Sequence, residues 1–483
     1  MNAPLRRLSA VVVMLFAALF ASSTFIQFLG ADSLNKRPTN SRTLYKEYSR
    51  QRGPIVVAGQ EIARSVTSKD DYKYQRTYPG GAVYAPVTGF YSVIYGETGM
   101  ESAAGDLLAG TADQLFYRRI SDLFTGRQPQ GATVELTIDP KLQRAAWDAL
   151  GNQRGAVVAL DPKTGNILAM VSKPSYDPAP LASHSEKAAK AARQKLLDDT
   201  ARPLENRAIA GRLYPPGSTF KLITAAAALD SGRYSVDSVL DGPASLALPQ
   251  TTVKLPNDDH QSCGPDDKVS LLDALRISCN TAFASLGMQL GEDALRKKAE
   301  EFGFGQSLRV PLPVTASTFP TGLNPPQTAQ SAIGQFDVRV TPLQMAMVSA
   351  AIANGGTLMR PNLIARVRSA DLEVISTAQP TELSRPLSRS AADQLRTMML
   401  AVVQNGTGTR AQIDGVDVAG KTGTAQSAPG SPPHAWFTSF ASGRGGDVAV
   451  AVVVEDGGKA GDAASGGRVA APIARRVMEA IVR

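Results

Sequence analysis

"GAVVALDPKTGNILAMVS", Gly155 to Ser172, is the stretch on which the fold turns. Two apolar runs, GAVVALD and NILAMVS, flank Pro162 to Gly165, and turn residues between two such runs predict a β-hairpin. The runs are nearly continuous in Val, Ile, Leu and Ala, so each strand needs cover on both faces. Three further strand candidates stand near the other end of the chain: GVDVAGKTGTAQ (415–426), HAWFTSFA (434–441) and VAVAVVVED (448–456). Between these groups lie helical patterns, FKLITAAAALDSG (220–232), SLLDALRI (270–277), NTAFASLGMQLG (280–291) and TPLQMAMVSAAIANGG (341–356). A closing helix, AAPIARRVMEAIV, follows the last strand. Two strands, a block of helices, three strands and a last helix imply one α+β domain over 131–483, its sheet assembled from distant segments. TVELTID and PKLQRAAWDAL, 133–150, read as a strand and a helix leading into it.

Ahead of that domain the chain is less regular. Residues 32–130 are polar and rich in Gly, Pro and Tyr, with strand-like pieces GPIVVAG and FYSVIYG and one helical stretch, AAGDLLAGTADQLFYRRI. GRQPQG, Gly126 to Gly131, reads as a linker. Before this module, Arg6 and Arg7 precede an uncharged run from Leu8 to Ala31, about the 20 residues that a helix needs to cross a bilayer. A cleavable signal peptide is the rival reading, with Ala21–Ser23 as its processing site. The run continues past Ser23 through Phe25, Ile26, Phe28 and Leu29, which favours a retained anchor over 1–31. Arginines on the short leading side put the N-terminus in the cytoplasm and all that follows outside the cell membrane.

Composition narrows the function. The 51 Lys and Arg against 43 Asp and Glu give a net charge of +8. No basic block interleaves with aromatics, so nucleic acid is not an expected partner. The three histidines, 184, 260 and 434, are scattered without metal-ligand spacing, and neither a metal nor another cofactor is expected. His434, Trp436 and Phe437 read as structural residues. The two cysteines, Cys263 and Cys279, are close together in a chain placed outside the cytoplasm. A disulfide there closes a loop contributing about 3 kcal/mol; two reduced, buried thiols are the other reading.

Three short constellations carry the chemistry. In YPPGSTFKL, Tyr214 to Leu222, a stiff Pro-Pro-Gly precedes Ser218, and Lys221 follows three residues later. Residues three apart on a helix share a face, so the amine can act as base for the hydroxyl if its pKa is lowered. A plain helix N-cap is the bland alternative. In GKTGTA, Lys421 lies within a strand, among residues small enough for a substrate backbone to approach. Lys163-Thr164-Gly165 repeats K-T-G, but turn chemistry between two strands accounts for it fully. In RISCNTAF, Ser278 and Asn280 fall between two helices, the first opened by a capping box at Ser270. Ser33-Leu34-Asn35 is a second S-x-N, set aside because it abuts the membrane segment.

The order S-x-x-K, S-x-N, K-T-G is that of penicillin-binding proteins and serine β-lactamases. From Gly131 to Arg483 the chain resembles the transpeptidase domain of class B penicillin-binding proteins. NRAIAGRLYPPGSTFKL, SAIGQFDVRVTPLQMA, IANGGTLMRP, NGTGTRA and HAWFTSFA look like that family's segments in the right order. The short first module resembles that of the actinobacterial penicillin-binding protein A group. RGPIVVAGQEIA, from Arg52, departs from the R-G-x-I-x-D-R-x-G of the wider class.

The resemblance implies a peptidoglycan D,D-transpeptidase with the penicillin-binding fold, a sheet flanked by helices plus an all-helical part. Ser218 would be the nucleophile, Lys221 its base, Ser278 a proton shuttle and Lys421 a source of positive field. Asn280, Thr422, Gly423 and Thr424 would hold substrate, and the backbone N–H groups of Ser218 and Thr424 would form the oxyanion hole. Stem peptides ending in D-Ala-D-Ala would be substrates and β-lactams inhibitors. A SEDS-family glycosyltransferase and other cell-wall assembly proteins would be partners. A D,D-carboxypeptidase or β-lactamase-like hydrolase with the same groups stays open, as does a non-enzymatic wall scaffold or sensor.

Overall fold

The computed structural model describes residues 3–30, 47–115, 130–426 and 430–483. Ser33-Leu34-Asn35 and most of the GRQPQG linker lie outside these residues. Two main sheets occur among the described residues. Their strands, in chain order, are β1 (Ile55–Val57), β2 (Gln60–Thr67), β3 (Tyr74–Thr77), β4 (Thr133–Leu136), β5 (Gly155–Leu160), β6 (Ile167–Lys173), β7 (Ile364–Arg368), β8 (Val374–Thr377), β9 (Val418–Ala425), β10 (His434–Gly443) and β11 (Gly446–Val454). The helices that matter for the site are α1 (Ala3–Thr24), α2 (Pro140–Leu150), α3 (Lys221–Asp230), α4 (Leu271–Arg276), α5 (Asn280–Leu290), α6 (Pro342–Ala353), α7 (Arg389–Asn405) and α8 (Ala471–Val482).

The C-terminal sheet runs β9-β10-β11-β5-β6, antiparallel throughout. The β5–β6 hairpin is therefore joined through β5 to the last strand of the chain, which is how segments almost 300 positions apart come together. Asp161 closes the hairpin turn by accepting from the Lys163 N–H and the Thr164 hydroxyl, so this copy of K-T-G is a turn, as expected. Both faces of the sheet are covered. Ala156, Val158, Ala449 and Ala451 belong to the core cluster that includes α3 and α6, whereas Val157, Ala159, Val450 and Val452 pack with α2 and α8. That two-sided burial is the physical reason for the unbroken apolar runs.

Two helices are buried all round because they lie inside. Every residue from Lys221 to Leu229 in α3 and from Pro342 to Ile352 in α6 is buried. Thr341 caps α6 by accepting from the Gln344 N–H at 3.1 Å, a contact typically worth about 1 kcal/mol. Buried hydroxyls on α6 and β10 satisfy one another, Ser349 and Thr438 lying 2.6 Å apart.

The other sheet is composite. Its order is β8-β7-β4-β1-β2-β3, with β1 parallel to β4 and β4 antiparallel to β7. TVELTID thus forms a strand, but one that pairs with the first module, and a hairpin from 364–377 completes the same sheet. FYSVIYG gives only two-residue strands, Tyr91–Ser92 and Gly96–Glu97, around a tight bend. The long helical reading after it breaks into Gly105–Leu108 and a turn at Asp113–Leu115, and its last residues lie outside those described. Amphipathic helices also form at Glu186–Asp198, Glu292–Glu301 and Arg389–Asn405, where no motif in the sequence marks them. At the N-terminus, Ala3–Leu29 is one continuous helical stretch, its most apolar 18 residues of mean hydropathy 2.2, long and apolar enough to cross a membrane.

Cys263 and Cys279 are joined in a disulfide, Cα to Cα 6.0 Å, and no cysteine is left free. Alkylation of the denatured, unreduced protein should add no label, and prior reduction should expose two sites, read by intact mass. Replacing both cysteines by serine should lower stability by about 3 kcal/mol in a denaturant titration.

Candidate active site

The Ser218 loop is stiff because the backbone groups leading up to the serine are claimed. Tyr214 exchanges two backbone hydrogen bonds with Val340 at 3.0 and 2.8 Å. The Trp436 indole donates to the Pro215 carbonyl at 3.1 Å, and the Thr219 hydroxyl to the Pro216 carbonyl at 2.8 Å. Gly217 donates to the Gly334 carbonyl at 3.0 Å and adopts φ +53°, which a side chain would oppose. Beneath the loop, the Tyr214 hydroxyl donates at 2.7 Å to Glu455, a buried carboxylate that also binds Arg207 at 2.8 Å and Arg154 at 3.1 Å.

After these anchors Gly217–Phe220 form a single 3₁₀ turn that continues into α3 at Lys221. The sequence predicts a helix starting at Phe220; in the structure the tighter turn comes first. In 3₁₀ geometry residues i and i+3 eclipse, so Ser218 and Lys221 share a face more closely than in an α-helix. Gly423 lets this turn meet β9: a Cβ there would lie 2.9 Å from the Pro216 carbonyl and 3.0 Å from the Thr219 methyl.

The S-x-N segment occupies the joint between α4 and α5. Ser270 opens α4 as its cap, accepting from the Asp273 N–H at 3.0 Å, while its hydroxyl donates back to the Asp273 carboxylate. Ser278 then takes φ +66°, turning the chain so that its carbonyl and hydroxyl face the same amine. Lys221 Nζ lies 2.7 Å from the Ser278 carbonyl, 2.7 Å from Asn280 Oδ1 and 3.3 Å from Ser278 Oγ. From the opposite side Lys421 Nζ, in mid-strand on β9, donates to Ser278 Oγ at 2.9 Å and to the Thr422 carbonyl at 2.9 Å. One hydroxyl thus bridges two lysines from segments 200 residues apart.

Both amines are fully buried, and burial dominates their chemistry. Desolvation drives Lys221 well below its ordinary pKa, the Lys421 charge pushes it further down, and Asp258 opposes. Desolvation lowers Lys421 to about 7, again against Asp258. A neutral Lys221 has two N–H bonds and one lone pair. Its two short contacts, to the Ser278 carbonyl and Asn280 Oδ1, use both protons and leave the lone pair available.

Ser218, Ser278, Asp258, Thr422, Gly423 and Thr424 line one cavity of about 370 Å³. Among the described residues Ser218 Oγ has no hydrogen-bond partner, whereas Thr422 Oγ1 pairs with Thr407 Oγ1 at 2.6 Å. β9 is the edge strand of its sheet, so one side of its backbone is unpaired by the sheet. Trp436 and Phe437 are buried, and His434 accepts from the Asp456 N–H at 3.0 Å, its ring against Tyr214; all three are structural. No cluster of metal-ligating side chains occurs among the described residues.

Some residues of the site had no legible motif. Asn257 is buried and accepts from the N–H groups of Asn280 and Thr281 at 2.9 and 3.0 Å, capping α5 from another segment. Asp258, Thr407 and Glu455 likewise meet the site only through folding. A Pro-Asn-Asp-Asp run signals a turn and nothing more.

Residues 155–479 match the penicillin-binding protein transpeptidase domain, and residues 52–134 the penicillin-binding protein A dimerisation domain. The chain belongs to the penicillin-binding protein transpeptidase family, in its class B. Over its whole length it is 46% identical to the peptidoglycan D,D-transpeptidase PbpA of Mycolicibacterium smegmatis, covering 99% of that protein. It is 44% identical to PbpA of Mycobacterium tuberculosis, with the same coverage. The fold superposes with a TM-score of 0.87 on the ceftriaxone acyl-enzyme of penicillin-binding protein A from M. tuberculosis, covering 91% of this chain and 100% of that one at 44% identity. The penicillin G acyl-enzyme of the same protein gives 0.84 at 45%, covering 90% and 100%.

Asn257→Ala removes the acceptor from two helix N–H groups. It should cost about 1–3 kcal/mol, measured as a lower Tm in thermal unfolding.

Proposed function

We propose that the chain is a serine D,D-transpeptidase that cross-links peptidoglycan and is acylated by β-lactams. The observation that carries this reading is the Ser278 hydroxyl held between Lys221 and Lys421 at the wall of the cavity that Ser218 lines. The relatives' activity and the acyl-enzymes of penicillin-binding protein A support the substrate class.

Ser218 Oγ attacks the penultimate D-Ala carbonyl of a D-Ala-D-Ala stem peptide, and its proton passes to the lone pair of Lys221. The tetrahedral oxyanion is met by the N–H groups of Ser218 and Thr424, a donor of this kind typically contributing about 3 kcal/mol. Collapse breaks the amide bond; the leaving D-Ala nitrogen takes the proton back from Lys221 through Ser278. An acceptor strand's amine then attacks the ester, forms the new amide and returns a proton to Ser218. Lys421, cationic, keeps Lys221 neutral and attracts the donor's terminal carboxylate, which Thr422 and Thr424 also meet. Gly423 gives the peptide backbone access to the β9 edge, and Asn280 binds that backbone.

The N-terminal helix serves as a membrane anchor, with Arg6 and Arg7 on the cytoplasmic side and the catalytic domain outside. The disulfide supports that placement, since such bonds persist in oxidising compartments. A SEDS-family glycosyltransferase partner rests on the family resemblance alone; co-purification from membranes tests it.

Ser218→Ala should abolish covalent labelling by a fluorescent penicillin; a retained label at that site rejects the nucleophile. The second-order acylation rate should also depend on pH in two steps. It rises as Lys221 loses its proton at its depressed value, and falls above about pH 7 as Lys421 turns neutral. Lys421→Arg keeps the positive charge and should remove the alkaline fall, measured by labelling kinetics across the pH range.

A further inference from the structure

We propose that Asp258 is a positioning residue for this reaction: its carboxylate fixes the amide of Asn280 so that the oxygen, and not the nitrogen, faces Lys221. The inference rests on the transpeptidase reading above and extends it to a group outside the three motifs.

An asparagine amide has a donor end and an acceptor end of nearly equal shape, so something must decide which faces the catalytic amine. If Asn280 were reversed, its NH₂ would point at Lys221 and compete for the lone pair. Asp258 Oδ1 lies 2.9 Å from Asn280 Nδ2, and a carboxylate only accepts. The nitrogen must therefore face Asp258, and Oδ1 is left to accept from Lys221 at 2.7 Å. One of the two Nδ2 protons is used in this way; the other faces the Pro256 carbonyl at 3.5 Å, a contact weak enough to give way to a ligand carbonyl.

The loop bearing Asp258 is held on both sides of it by the start of α5 and the cysteine just before it. Just before it, Asn257 accepts from the backbone N–H groups of Asn280 and Thr281. Just after it, Cys263 is bonded to Cys279. Asn257 Nδ2 also braces the loop internally, donating to the Gln261 carbonyl at 2.8 Å and to the Pro243 carbonyl at 3.0 Å. The carboxylate is thereby preorganised against the amide, not left to find it.

Asp258 also acts through its charge. The charged groups around the bridging hydroxyl are Lys221 from α3, Lys421 from β9 and Asp258 from the loop over α5, with Asp259 lining the same cavity. Asp258 raises both lysines against their desolvation. Without it each amine loses its proton at a lower pH.

The test compares full-length wild type with Asp258→Asn and Asp258→Glu, measuring second-order acylation by a fluorescent penicillin over a range of pH. Asp258 is exposed, so its replacement removes no core packing. Asp258→Asn keeps an oxygen able to accept but no longer decides which end of the Asn280 amide faces Lys221, and should still label to completion at Ser218, about tenfold or more slowly. Both limbs of its pH profile should move to lower pH. Asp258→Glu, which restores the charge, should return the limbs toward wild type. Where Asp258→Asn fails to fold, judged by its Tm, Asp258→Ser takes its place with the same readout. Limbs that stay where the wild type has them, whatever the rate, overturn the inference. Failure of the underlying reading shows separately, as a wild type that does not label at Ser218.

Discussion

Two primary amines buried around one hydroxyl cannot both carry charge cheaply. With nitrogens 3.3 and 2.9 Å from the same oxygen, two charges would repel by a few kcal/mol at an effective dielectric of about 20, and desolvation penalises each charge further. The least costly state keeps one amine neutral. Lys221 takes that part because the Lys421 charge lowers it further on top of its desolvation, whereas Lys421 is lowered by desolvation alone. A lysine that would be protonated in water becomes a base through its surroundings.

Such an arrangement holds only if water is kept out and the partners cannot drift. The fold meets the first need with α3, buried all round, on which Lys221 is the first residue. It meets the second by tying each wall of the cavity to a different part of the chain. The serine turn is fixed by Val340, Gly334 and Trp436; the S-x-N joint by Asn257 and a disulfide; the K-T-G strand by its full-length pairing with β10. Glu455, just past the end of β11, holds the ring that precedes the serine loop and so ties the chain's last strand to the nucleophile.

The motifs were legible because chemistry constrains their residue types locally. S-x-x-K needs one turn, K-T-G needs a strand with small neighbours, and the hairpin copy of K-T-G could be discounted from its turn composition. The hairpin, the three late strands and the two buried helices were legible for the same kind of reason, since periodicity and apolar runs reflect burial directly. The helices at 186–198, 292–301 and 389–405 were not legible, because their amphipathic patterns sit among charged residues and carry no motif. Asn257, Asp258, Thr407 and Glu455 gave no signal because nothing within a few residues of each distinguishes it from a loop or strand-end residue.

The sequence by itself determined the local conformations and the chemical inventory: a serine one turn from a lysine, a second lysine in a strand, an S-x-N between helices. It also placed an apolar helix at the start and two cysteines within reach of each other. Only the tertiary structure decided that TVELTID and the 364–377 hairpin complete the sheet of the first module, and that Ser278 faces both amines. Strand partners and shared hydroxyls depend on which distant faces meet, and that is set by packing over the whole core, which no short window contains.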